Sequence, residues 1–179
     1  MRNFKDLRSE KGSATMVEFA IVSLVSLTFL LGILDFSRAV YGYHFISDAA
    51  REATRYAAVR GSTFTVACSD PSPVAYSCKA ATTDIADYVK SIVSSGITAT
   101  STSASCSTPS ANTINVCTTW PGTAPTGAAG VCNTANGDDS PGCLVQVKVL
   151  YTYGFSLPLV SKEVSSVTMT STSSMVIQQ

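Results

Sequence analysis

The chain has 179 residues, with 12 basic and 12 acidic side chains and no formal net charge. That balance argues against nucleic-acid binding and against an acidic substrate, and a charged fraction of 13% is low for a cytosolic enzyme. Ser and Thr replace charge after residue 60, which suits a secreted or surface domain of strands and loops.

The N-terminus is basic: Arg2, Lys5, Arg8 and Lys11 outweigh Asp6 and Glu10. From Ala14 to Leu34 run 21 residues with one charge, Glu18. As a helix rising about 1.5 Å per residue they span about 31 Å, the thickness of bilayer hydrocarbon. The basic excess precedes the span, so the N-terminus is expected in the cytoplasm and residues 36–179 outside. A cleaved secretory signal would carry a shorter apolar run and a small-x-small cleavage site. Asp35-Phe36-Ser37-Arg38 offers no such site.

A carboxylate inside the hydrocarbon is costly, so Glu18 needs a compensating partner or position. It either pairs with the free α-amine of a neighbouring subunit and so sets axial register between helices, or it snorkels or sits protonated.

The helix is expected to continue past the membrane. Residues 36–61 contain no Pro, and Ser47–Gly61 is rich in helix formers. Ala49, Ala50, Ala53, Tyr56 and Ala57 recur at helical spacing and form a small-residue face fit for close packing. Arg60 and Gly61 read as the stop.

Six cysteines follow: Cys68, Cys78, Cys106, Cys117, Cys132 and Cys143. All lie on one side of the span, which points to an oxidising compartment and to disulfides. No CxxC occurs and His44 is the only histidine, so no metal is expected. Of 15 pairings, the sequential one (68–78, 106–117, 132–143) brackets three short turn-rich stretches.

Ile85, Tyr88, Val89 and Ile92 predict a short amphipathic helix over Asp84–Val93, capped by Thr83 or Asp84 and ended by Gly96. Strands are expected at Ile97–Thr102, Thr113–Thr119, Leu144–Tyr153 and Val164–Val176, the last with Val164, Val167 and Met169 inward. Ser101–Ala111 and Pro121–Pro141 read as loops. Asn133–Asp139 lacks the spacing of a calcium loop and is expected to be a turn between two cysteines. Trp120 is expected to pack. The fold class is therefore α+β, with a long N-terminal helix, a short second helix and an antiparallel sheet of about four strands. The expected division is leader 1–13, transmembrane helix 14–35, external helix 36–61 and extracytoplasmic domain 62–179.

No nucleophile motif, phosphate loop or cofactor signature is present, and an enzyme is not expected. A lone helical histidine such as His44 is usually structural.

Three stretches carry a resemblance: Gly12-Ser-Ala-Thr-Met-Val-Glu-Phe19, Gly32-Ile-Leu-Asp-Phe-Ser-Arg38 and Asp48-Ala-Ala-Arg-Glu-Ala-Thr-Arg-Tyr-Ala-Ala58. They resemble the TadE-like family, minor pseudopilins of tight-adherence (Tad/Flp) type IV-like pili. Ser174–Gln179 looks like that family's C-terminal strand. The resemblance implies a pilin-like architecture and cleavage by a prepilin peptidase near Gly12, Ser13 and Ala14. It implies Glu18 and Phe19 as assembly residues, and other pilins, minor pseudopilins and an inner-membrane assembly platform as partners beside the lipid bilayer. In the family the glutamate is fifth in the mature chain; here Glu18 is sixth counted from Ser13 and fifth from Ala14. The alternative function is a membrane-anchored extracytoplasmic binding module or adhesin.

Overall fold

The computed structural model describes residues 4–64, 79–122, 132, 138–155 and 166–178, with side chains from residue 15 onward. The first element, α1 (Phe4–Ala58), is one unbroken helix of 55 residues. It ends where Val59 and Arg60 donate their amides back to Arg55 and Ala57. After it come α2 (Thr82–Ile92), β1 (Ser101–Ser103), β2 (Thr113–Thr119), β3 (Leu144–Gly154) and β4 (Ser166–Val176). The architecture is α+β and pilin-like: a long helix whose second half is wrapped by a small domain.

Helix α2 starts two residues earlier than the sequence suggests. Its N-cap is Ala81, whose amide donates to Asp84 Oδ2 at 2.9 Å. Asp84 thus acts from inside the first turn, where a carboxylate also complements the helix dipole. The helix ends at Ile92, before Gly96. Its buried face is Ile85, Ala86 and Val89.

The strand order is β1-β2-β3-β4. Strands β2, β3 and β4 are antiparallel, as expected, but β1 pairs parallel with β2, with Thr102 opposite Ile114. The sheet is therefore mixed, which corrects the expectation of an all-antiparallel one. The cause is local. Asn112 adopts a left-handed conformation at φ 58°, which Asn tolerates better than most residues. Its carbonyl accepts the Thr100 amide at 2.6 Å, so β2 sets off from the end at which β1 began. The connection is short because β1 is only three residues long.

Strand β3 shows why the strand pattern is legible. Val145, Val147, Val149 and Tyr151 are buried on one face. That face meets the second half of α1, where Ile46, Ala49, Ala50 and Ala53 are almost wholly covered. Val116, Ile114 and Ile177 complete the core, and Trp120 packs against it as expected. The last residues close the far end. The Gln178 amide donates to Ala58 O at 2.7 Å, and Ile177 exchanges backbone bonds with Gly142 and Cys143.

Candidate functional site

The exposed half of α1 comes first. Thr15–Ala58 contains a window long and apolar enough to cross a membrane, and none of that window is buried by the rest of the protein. Met16, Phe19, Leu24, Phe29 and Leu34 are all exposed. Glu18 is exposed among them. Gly12, Ser13 and Ala14 lie within the same helix. A shallow apolar notch is set into this surface by Gly32 and walled by Thr28, Phe29, Ile33 and Phe36. A Cβ at Gly32 would meet nothing within 4 Å. The Thr28 hydroxyl donates to Leu24 O at 2.8 Å, so the polar atom is bonded within the helix.

At Asp35 the helix changes partner. Asp35 is buried, and its Oδ1 accepts the Tyr153 hydroxyl from β3. Burial foremost, then the bond to Asp35, holds the Tyr153 hydroxyl well above the usual tyrosine range. Two turns further, a Cβ on Gly42 would sit 3.1 Å from Tyr151 Cε1 and 3.7 Å from Met169 Cε. Gly42 thus lets the Tyr151 ring lie close against the helix backbone. Tyr41 turns the other way: its hydroxyl bonds Ser94 Oγ at 2.8 Å, and its ring lies against Gly96. Higher still, Thr54 Oγ1 contacts both Ala50 O at 2.6 Å and Ser173 O at 3.3 Å.

The small-residue face is therefore occupied. Ala49, Ala50, Ala53, Tyr56 and Ala57 pack against the chain's own domain, and this stretch of helix does not present them to a neighbour. Small side chains let the sheet approach the helix backbone, which explains the composition without a second subunit.

Between the two helices lies a polar-rimmed groove lined by Glu52, Arg55, Tyr56, Val59, Arg60 and Tyr88. Tyr56 stacks on Tyr88 with centroids 4.4 Å apart, and the Arg60 guanidinium sits 4.2 Å over the Tyr56 ring. The Tyr88 hydroxyl donates to Glu52 Oε1 at 3.2 Å. Its burial, and then the Glu52 carboxylate, push its pKa up. Glu52, Tyr56 and Tyr88 thereby tie α1 to α2. His44 is exposed, with the Tyr43 ring edge-on beside it.

Two of the expected disulfides form: Cys106–Cys117 with Cα atoms 4.6 Å apart and Cys132–Cys143 at 5.6 Å. Cys68 and Cys78 lie outside the described residues, as do Val164 and most of Asn133–Asp139. Asp139, at the end of that turn, pairs with Lys79 at 2.7 Å. Among the described residues no cluster of His, Cys, Asp or Glu has metal-site geometry. Val167, expected inward, is 44% exposed; it lies near the start of the edge strand β4, opposite the buried Tyr153.

What sets this chain apart is a bare apolar half-helix continuous with a covered one. Comparison with known families recognises both halves together. Residues 12–55 match the family model described as TadE-like protein. The N-terminal helix is TadE-like. The TadE-like segment covers about a quarter of the chain and includes Glu18, Asp35 and Gly42. It stops short of the sheet and of every cysteine. Neither a curated protein nor a solved structure matches the chain. A TadE-like helix is consistent with a protein of Tad pilus systems that passes once through a membrane.

Proposed function

We propose that this protein is a minor pseudopilin of a Tad/Flp-type pilus assembly system. It initiates or supports pilus biogenesis and adherence through helix–helix packing of its N-terminal segment. The observation that carries the reading is the bare apolar surface of residues 15–34 with Glu18 near its start, inside the TadE-like match. The small-residue face beyond Asp35 is already used by the chain's own sheet, so intersubunit packing falls to the first half of α1 and its notch at Gly32. There Glu18 meets the α-amine of a neighbouring processed subunit and sets the register.

In this reading the leader is cytoplasmic, the span lies in the inner membrane and the disulfide-bonded domain is outside. A prepilin peptidase removes the leader, and the assembly platform and other pilins are the partners. The protein performs no catalysis.

The test is Glu18→Ala in the pilus-producing host. The variant is expected to accumulate in the membrane at normal levels while piliation drops. Normal piliation by that variant refutes the register role. Sequencing the mature N-terminus is the second readout. A chain starting at Ser13 or Ala14 supports the pilin route, and retention of Met1 supports a plain membrane anchor.

A further inference from the structure

The head has no stalk. The apolar run ends at Leu34, and the very next residue, Asp35, is already hydrogen-bonded to β3. Strand β3 runs back along α1: its first residues lie beside Ala58 through Gln178, and its last beside Asp35. Strand β4 returns the other way, with Ser166 opposite Gly154 and Val167 opposite Tyr153. The strands are therefore roughly aligned with the helix axis, and one end of the sheet sits at the level where the helix leaves the hydrocarbon.

The depth can be bounded. Asp35 lies about 1.5 Å beyond Leu34 along the helix. Gly154, Ser166 and Val167 are one residue or less from the Tyr153 pairing, about 3.4 Å of strand. The headgroup layer on each side of a bilayer is about 5–7 Å deep. This end of the head thus falls within that layer.

Its chemistry suits the place. Among the described residues Ala111, Asn112, Gly154, Phe155, Ser166 and Val167 meet there, and none of these is charged; the connection 156–165, with Lys162 and Glu163, lies outside the described residues. Val167 is 44% exposed, although Tyr153 opposite it on β3 is buried. Phe155 stands edge-on to Tyr153 with centroids 5.3 Å apart, only partly buried. On α1, Phe36 is 68% exposed, and Arg38 follows at phosphate height, about 6 Å past Leu34. Aromatic rings and a basic side chain at this depth are the usual anchors of a membrane–water interface.

We propose that the end of the head formed by Phe155, Val167 and the Asn112 turn seats on the phospholipid headgroup layer of the bilayer that α1 crosses. This rests on reading α1 as the span. The head is then held by two contacts, the helix and the lipid surface, and cannot swing freely about the membrane exit.

The experiment places a single tryptophan in the full-length protein, in nanodiscs of phosphatidylethanolamine and phosphatidylglycerol, on a Trp120→Phe background. Val167→Trp probes the seat, Gln178→Trp the far end of the head and Phe29→Trp the span. Emission is quenched with headgroup-spin-labelled or mid-chain-spin-labelled lipid. The Val167→Trp emission is expected to lose most of its intensity to the headgroup label, and the Gln178→Trp emission to keep it. Equal quenching at 167 and 178, with the Phe29→Trp emission quenched by the mid-chain label, overturns the seat and leaves the span standing. No mid-chain quenching at position 29 overturns the span and the seat together.

Discussion

Tyr153 and Asp35 join the sheet to the helix at the only buried carboxylate among the described residues. Tyr153→Phe removes a donor to that carboxylate and is expected to cost about 1–3 kcal/mol of head stability, read by chemical denaturation in detergent. The pH dependence has a definite sign. The folded hydroxyl titrates above the unfolded value of about 10, so its contribution is complete below that pH. As pH rises past about 10 the unfolded chain loses its proton first, and stability falls. Tyr88 adds to the same slope. Tyr153→Phe is therefore expected to flatten alkaline destabilisation relative to the parent chain, and an unchanged slope above pH 10 counts against the assignment. Gly42 is the other junction residue. Gly42→Leu drives a side chain into Tyr151 and Met169 and is expected to lower stability by about 1–3 kcal/mol. Both residues lie in the stretch that the sequence shows only as continuing helix. Their roles depend on a strand more than 100 positions away, which no local pattern encodes.

Helix α1 is one element with two environments. In its first half the apolar side chains face outward all round, and in its second half a small-residue face is covered. Two substitutions separate them. Ala53→Leu overpacks the covered half and is expected to lower the melting temperature of the isolated chain, at a cost of about 1–3 kcal/mol. Gly32→Leu fills the notch on the bare half and is expected to leave the head's stability within about 0.5 kcal/mol while weakening pilus assembly. If Ala53→Leu leaves the monomer's melting unchanged and impairs assembly alone, the covered face has been misassigned. The helix itself was legible because it has no Pro and an apolar run of membrane length. What its small face packs against was not, because a stripe of alanines fits a sheet and a second helix equally well. Strand β3 was legible from period-two alternation in its first half, and β4 from its β-branched and Ser/Thr content. The parallel pairing of β1 was not, since it hangs on a backbone turn at Asn112 rather than on side-chain pattern.

At the scale of the molecule, the head is a small domain stapled along its loops. Cys106–Cys117 ties the β1–β2 connection to β2, and Cys132–Cys143 ties a loop to the start of β3. Each closes a short loop and contributes about 3 kcal/mol in the chain-entropy picture. Reduction with dithiothreitol is expected to lower the melting temperature markedly while leaving the helical circular dichroism of α1 largely in place. Equal melting with and without reductant would show that the bridges do not support the fold. The helix survives because its apolar first half is not packed against the head.

By itself the sequence determined the long helix, the membrane-length run with Glu18, three of the four strands and the cysteine pairs that the structure describes. Each of these rests on local periodicity, hydropathy or spacing, which a linear reading can see. The tertiary structure decided which helix face is free and which is taken, and that the head meets the helix at Asp35 with no stalk. Those are outcomes of long-range packing: β3 runs back along α1, buries its alanines and brings Tyr153 to the edge of the span. The apolar surface left bare is the part of α1 that this packing does not reach.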